Sequence, residues 1–371
     1  MDIYEKLGVR QYINAMATVT VYGGSIMPDE VVEAMAEASR SYVDILDLHR
    51  KAGDYIARLT HNEAAFVSNG AAAAMVVATA AVVAGYDKDK RDMLPFSEGR
   101  NEIVISQAGR VGYDFAIKMG GGKYVTYGDA EKSTEAQLEA AITPNTAAIF
   151  MFYFENRMDN QPSFEAQVRI AKKHGVYLIV DAAAQLPAKE NLWRFTKEGA
   201  DLAIFSGGKG LRGPQSSGLI VGGRELIDRI LTIASPNPGL GRPFKVGKEE
   251  IVGLMTAVRL YMESDEEAVI GEYERQVRSV IDAFADFDGV AATRSFPSEA
   301  GQPMPRAQLA LLPGAFSDDV AAFCERLKSC RPAILVAAIN DSLYVNPQTL
   351  LKGEIDIVIK VIKETLESIR L

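Results

Sequence analysis

Short, unbroken apolar runs separated by helical patterns constrain this chain more than any other feature. Glu102–Ser106, Tyr124–Tyr127, Ala147–Phe154, Val176–Asp181, Leu202–Ser206 and Gly218–Val221 are each dominated by apolar residues. A run of that length without polar alternation reads as a strand buried on both faces. Helical patterns at Gly70–Val83, Thr134–Ala141 and Ser163–His174 are interleaved with these runs. Such βαβα alternation implies a mostly parallel sheet covered by helices on both faces. Upstream, Asp29–Arg58 reads as two amphipathic helices, with Pro28 at the first helical position and Asp29 in the first turn.

The pattern changes near residue 240. Gly239-Leu-Gly-Arg-Pro243 reads as a loop, followed by long helices at Lys248–Glu263 and Asp265–Phe287. Short strands then follow at Val290–Phe296, Ala307–Leu312, Ile334–Ile339 and Ser342–Val345. With a helix at Asp318–Leu327 and a terminal helix from about Glu354, they form a separate α+β unit. The expected division is a large domain over residues 1–245, including an N-terminal arm, and a small C-terminal domain over 246–371 with its connecting helices.

Charge and composition exclude several classes of function. A net charge of −9 argues against non-specific binding to nucleic acid or to anionic membranes. The two cysteines, Cys324 and Cys330, make no disulfide framework and no thiolate cluster. His49, His61 and His174 are too scattered for a metal-ligand spacing, so no metal is expected. The first residues, Met1-Asp-Ile-Tyr-Glu-Lys6, lack the basic start and apolar core of a signal peptide. Ala71–Ala84 is too short to span a bilayer. A cytoplasmic location is expected.

Two of the apolar runs lead to a single ionisable residue. Tyr177-Leu-Ile-Val-Asp181 closes on an acid, and Leu202-Ala-Ile-Phe-Ser-Gly-Gly-Lys209 leads to an amine. In open α/β sheets ligands bind beyond the carboxyl ends of the strands, where both residues fall. The combination suits pyridoxal 5′-phosphate (PLP), with Lys209 forming the Schiff base and Asp181 pairing with the pyridinium nitrogen. Taken alone, Asp181 could equally be a helix cap or a structural ion pair. Lys209 does not belong to a P-loop, because the glycines are wrongly spaced and no Ser or Thr follows. Upstream, Val67-Ser-Asn-Gly-Ala-Ala-Ala-Ala74 opens a helix with small residues. That stretch is either a phosphate cradle of bare backbone N–H groups or simply a buried alanine-rich helix.

Several stretches together resemble a known family. They are Ile13-Asn-Ala-Met-Ala-Thr-Val-Thr20, Ile56-Ala-Arg-Leu-Thr60, Asp181-Ala-Ala-Ala-Gln-Leu-Pro187, Phe205-Ser-Gly-Gly-Lys-Gly-Leu-Arg-Gly-Pro-Gln-Ser-Ser-Gly218 and Gly241-Arg-Pro-Phe-Lys-Val-Gly-Lys-Glu-Glu250. The chain resembles the SelA-like family of fold-type I PLP enzymes, the group of L-seryl-tRNA(Sec) selenium transferase and D-glucosaminate-6-phosphate ammonia-lyase. The resemblance implies an aspartate-aminotransferase-like α/β architecture with a seven-stranded, mostly parallel large domain and a small α+β domain. It also implies a homodimer or higher homo-oligomer with shared active sites.

The same resemblance assigns roles. Lys209 and Asp181 are the catalytic pair. Asn69, Gly70, Ala71 and Ala72 donate to the cofactor phosphate, with Ser206 assisting. Gln185 is either a cofactor contact or a surface residue one helical turn beyond Asp181. Arg110, standing where relatives of the lyase type often have histidine, or Tyr113 covers the ring. Arg242 and Lys245 anchor an anionic substrate, or else belong to a solvated loop. Arg212 is substrate-facing or structural. The implied activity is a PLP-dependent lyase acting on a small 2-amino acid, hydroxylated or sugar-derived, that releases a 2-oxo acid and ammonia. Racemase, epimerase and aminotransferase are the alternatives, followed by selenium transferase and a non-catalytic homologue.

Overall fold

Each apolar run becomes a strand because neighbouring runs can pair edge to edge; helices cover both faces of the central runs, whereas the edge strand Lys123–Tyr127 keeps Lys123 and Thr126 exposed. The computed structural model describes residues 2–371. Among these run twelve strands. They are β1 (Tyr12–Ala15), β2 (Ala64–Ser68), β3 (Glu102–Ser106), β4 (Lys123–Tyr127), β5 (Thr146–Phe152), β6 (Tyr177–Asp181), β7 (Leu202–Ser206), β8 (Gly218–Gly222), β9 (Val290–Ser295), β10 (Arg306–Leu311), β11 (Ala333–Ile339) and β12 (Ser342–Val345). The chain forms two compact units. One comprises Ser25–Ser264 with Ala300–Gln302. The other comprises the chain up to Gly24, Asp265–Glu299 and Pro303–Leu371.

The larger unit holds a seven-stranded sheet in the order β2-β8-β7-β6-β5-β3-β4. Neighbours run parallel except at β8, which is antiparallel to both β2 and β7. Alternate side chains face opposite layers, as the strand period requires. Val104, Ile149, Leu178, Val180 and Ala203 pack into one cluster, while Ile103, Ile105, Phe150, Ile179 and Ile204 pack into the other. The helix Gly70–Ala84 lies in the second layer and is buried continuously from Ala73 to Ala84. That explains its composition, since a helix covered on all sides needs no polar face.

The smaller unit holds a five-stranded sheet in the order β1-β11-β12-β10-β9. Only β1 and β11 pair in parallel. Phe284, Leu309, Phe323, Ile334, Leu343 and Ile362 form its centre. The helices Glu266–Phe284, Val320–Ser329 and Glu354–Ser368 supply the covering layer.

Three local expectations change. β2 is a strand that periodicity does not announce, because Ala-Ala-Phe-Val-Ser suits a helix or a strand and its pairing with β8 decides. Pro28 is the N-cap rather than the first helical residue, and the helix begins at Asp29. Asp265 likewise caps its helix, accepting from the Ala268 N–H at 3.0 Å, and the helix ends at Phe284 ahead of a turn through Gly289.

Candidate active site

The sheet order places one edge of the larger unit in functional reach. Because β8 is reversed, its first residue Gly218 lies between Ser68 of β2 and Ser206 of β7. Along the same edge, Asp181 ends β6 opposite Phe152 of β5, and Ser106 ends β3 opposite Tyr127. Residues far apart in the chain therefore converge at the carboxyl ends of the parallel strands, as in other open α/β sheets.

At this edge the helix Gly70–Ala84 begins. Ala71 is half-buried and Ala72 exposed, so the first turn is the accessible part of an otherwise enclosed helix. Asn69 is the N-cap but gives no side-chain cap; its Nδ2 instead donates to the Lys245 carbonyl at 2.8 Å. The N–H groups of the turn are left for an external acceptor, the arrangement that binds anions. A Cβ on Gly218 would come within 2.5 Å of the Gly70 carbonyl carbon and 2.7 Å of Ser68 Oγ. Glycine is therefore what allows β8 to pass beneath the turn.

Asp181 is 8% exposed and accepts from the Ala183 N–H at 3.0 Å. Burial pushes its carboxyl up to about 6, with the Ala183 N–H and the Lys209 charge pulling the other way. Lys209 stands in the turn just beyond β7. Burial lowers its ammonium from the ordinary lysine value and the Asp181 charge opposes that shift. An acid and an amine thus share a low-dielectric site, each the other's nearby counter-charge. Their donor chemistry fits PLP: an amine for the aldehyde carbon, a carboxylate for a protonated ring nitrogen, and bare N–H groups for the phosphate.

Other expected residues are placed as follows. Ser206 is half-buried and closes β7 beside Gly218. Gln185 is 2% exposed, and its Nε2 donates to the Ala300 carbonyl at 3.0 Å. Arg110 pairs with Asp114 at 2.5 Å, and its guanidinium lies 5.0 Å from the centre of the Tyr124 ring. Tyr124 lies three residues before Tyr127, the carboxyl end of β4, so it sits about 10 Å back along the strand. Arg110 is thus engaged behind the edge, while Tyr113 is 67% exposed. Arg212 takes a left-handed backbone conformation and donates through Nε to the Ile26 carbonyl at 3.0 Å. Arg242 and Lys245 are both exposed.

Sequence reasoning did not single out Tyr153, Arg194 or the segment Ala300–Gln302. Tyr153 follows β5, and its backbone N–H donates to the Asp181 carbonyl at 2.9 Å. Its hydroxyl donates to the Glu155 carboxylate and accepts from Arg194 at 2.8 Å. Burial, with the Glu155 hydrogen bond, pushes that phenol up to about 12. A buried tyrosine at a strand end is the available signal; its arginine partner, on the helix Asn191–Glu198, has none.

Comparison with known proteins gives the family of the chain. The family model described as "SelA: L-seryl-tRNA selenium transferase" matches residues 12–271. The chain is 32% identical to a 5'-C-glycyluridine monooxygenase-decarboxylase from Streptomyces sp, over 98% of this chain and 92% of the relative. It is 29% identical to a D-glucosaminate-6-phosphate ammonia lyase from Salmonella typhimurium, over 99% of this chain and 98% of the relative. A solved structure of D-glucosaminate-6-phosphate ammonia-lyase superimposes with a TM-score of 0.87 at 28% identity, covering 100% of this chain and 99% of that one.

Proposed function

Because the chain belongs to the SelA family, described by L-seryl-tRNA selenium transferase, we propose that it is a PLP-dependent lyase of the ammonia-lyase type. Its architecture is that of the aspartate-aminotransferase-like fold type I enzymes. One observation carries the reading: a buried acid–amine pair stands at the same sheet edge as an uncapped helix turn. The substrate is a small 2-amino acid, hydroxylated or sugar-derived, and the products are a 2-oxo acid and ammonia.

When bound, PLP draws off the electron pair left at the substrate α-carbon as a bond there breaks. The chain's own residues do the rest. Gly70, Ala71 and Ala72 hold the phosphate through backbone N–H groups, assisted by Asn69 and Ser206. Asp181 holds a proton on the ring nitrogen by presenting its charge in a dry setting. Lys209, whose ammonium burial already weakens, takes the proton from the α-carbon through Nζ and can return it. Gln185 fixes the loop after Asp181. Arg242, Lys245 and Arg212 anchor an anionic group on the substrate, and Tyr113 rather than the engaged Arg110 covers the ring. The working form is a homodimer or larger homo-oligomer with shared sites, in a reducing cytoplasm. No helix among the described residues is long and apolar enough to cross a membrane.

A second reading follows from the Streptomyces relative, whose name joins oxygen insertion to loss of a carboxylate. In that reading the bond broken at the α-carbon is the one to the carboxylate. Racemisation and transamination use the same residues with different proton delivery. Transfer to tRNA fits poorly, because a net charge of −9 does not favour a polyanion.

The test is a titration of the purified chain with PLP, followed by a panel of D- and L-amino acids that includes phosphorylated sugar-derived ones. A visible absorbance band that depends on Lys209, with release of ammonia and a 2-oxo acid, supports the lyase. Oxygen uptake with carbon dioxide release replaces it by the second reading. No band at saturating PLP overturns both.

A further inference from the structure

The tripeptide Ala300-Gly301-Gln302 follows the Asp181 loop by 115 positions at the Gln185–Ala300 contact, yet it belongs to the same compact unit as that loop. Two glutamines join the segments reciprocally. Gln185 Nε2 donates to the Ala300 carbonyl at 3.0 Å, and Gln302 Nε2 donates to the Leu186 carbonyl at 3.1 Å. Both side chains are buried, Gln302 being 3% exposed. Between them, Gly301 has φ +81°, and a Cβ there would meet Asn156 N at 2.7 Å and Glu155 Cβ at 2.8 Å. The tripeptide is therefore wedged between the loops that follow β5 and β6, at a position where only glycine fits.

Leu186 passes this contact on to the lysine turn. A Cβ on Gly210, the residue after Lys209, would lie 2.7 Å from both the Leu186 Cβ and its carbonyl oxygen. On the other side of the loop, Ala183 N–H holds the Asp181 carboxylate, and Asn191 Nδ2 holds the Gln185 carbonyl at 2.7 Å. A shift of Leu186 therefore reaches both Asp181 and Lys209 through packed backbone, which has little room to absorb it.

We propose that Ala300-Gly301-Gln302 is a latch that sets the acid–amine pair, with Gln302 and Gln185 as positioning residues. The proposal rests on the reading of Asp181 and Lys209 as the pair that holds PLP. A tether of this kind differs from general scaffolding because its loss changes how Lys209 titrates in a chain that is still folded.

The test substitutes each glutamine by methionine, giving Gln302→Met and Gln185→Met, which keep length and remove the amide donor. In cofactor-free protein, Lys209 acylation by acetic anhydride is followed against pH by peptide mass spectrometry. The wild-type midpoint lies below that of surface lysines, and in folded variants it rises towards theirs as water enters. PLP binding weakens by about tenfold for each lost hydrogen bond. Folded variants that keep the wild-type midpoint and PLP affinity overturn the latch. Hydrogen exchange on the wild type gives an independent decision: PLP slows exchange at 300–302 together with 182–188, and protection of 182–188 alone overturns the proposal. If the wild type takes up no PLP, the PLP reading fails, and the acylation profile still decides whether the latch controls Lys209.

Discussion

Asp181 and Lys209 oppose, through their mutual attraction, the shifts that burial imposes on each. The carboxyl is raised to about 6 and the ammonium is lowered, with burial the leading cause in both. Burial makes such a pair costly for the chain alone, and on the proposed reading a cationic ring nitrogen facing the acid would offset that cost, which would link cofactor binding to stability.

That linkage makes Asp181→Asn informative. The folded chain holds the Asp181 proton to about pH 6, whereas the ordinary value is 3.8. The raised value means that this group's contribution to stability is full below about pH 4 and is lost as pH rises through about 6. Without cofactor, the variant should therefore be more stable than wild type near neutral pH by on the order of 2 kcal/mol, the gap closing towards pH 4. PLP binding should weaken by about tenfold or more. Urea unfolding across that pH range, with and without PLP, checks both. A variant less stable than wild type at neutral pH contradicts the assignment.

Lys209→Ala should abolish the visible band that PLP gives with the wild type and lower turnover by about a thousandfold or more. The fold should survive, because Lys209 stands in a turn beyond β7 and not in a core cluster. The paired measurements are a visible spectrum and a thermal melt. A folded variant with near-normal turnover would remove Lys209 from the reaction.

Gly218→Ala tests the cradle through the backbone alone. The added methyl meets the Gly70 carbonyl carbon at 2.5 Å and Ser68 Oγ at 2.7 Å, so the helix turn must move. The expected cost is about 1–3 kcal/mol, with PLP affinity falling further than stability accounts for. Gly112→Ala is the control, since a Cβ there meets nothing within 4 Å; it should stay within about 0.5 kcal/mol of wild type. Equal behaviour of the two variants would contradict the cradle.

What could be read from the chain follows physical locality. Asp181 and Lys209 were visible because each terminates or closely follows a short apolar run, and such runs end at the ligand-binding edge of a parallel sheet. The enclosed helix at Gly70–Ala84 announced itself by lacking any polar face. β2 did not, because its identity depends on register with β8, more than a hundred residues later. β1 was hidden for the same reason, its partner being Ala333–Val336. Arg110 illustrates a different limit. Its spacing to Asp114 is the ordinary helical one, but Tyr124, which receives its guanidinium, comes from another element. Ala300–Gln302 carries no local mark at all, since its partners Gln185 and Leu186 are fixed only by the fold.

His49 supplies a prediction away from the site. It is 2% exposed, its Nδ1 has no hydrogen-bond partner among the described residues, and its ring stacks on Phe66 at 4.7 Å with planes 11° apart. Burial depresses the imidazole from 6.5 to about 4. A depressed value means that stability from this group is full above about pH 6.5 and is lost as pH falls towards 4, because the unfolded chain takes up a proton that the folded chain refuses. His49→Phe keeps a stacked ring and removes that titration. Its unfolding free energy should fall less than that of wild type between about pH 6.5 and 4, by on the order of 3 kcal/mol in total. Denaturant unfolding at a series of pH values checks this in the cofactor-free chain. Parallel curves for the two proteins would show that His49 is not buried as a neutral ring.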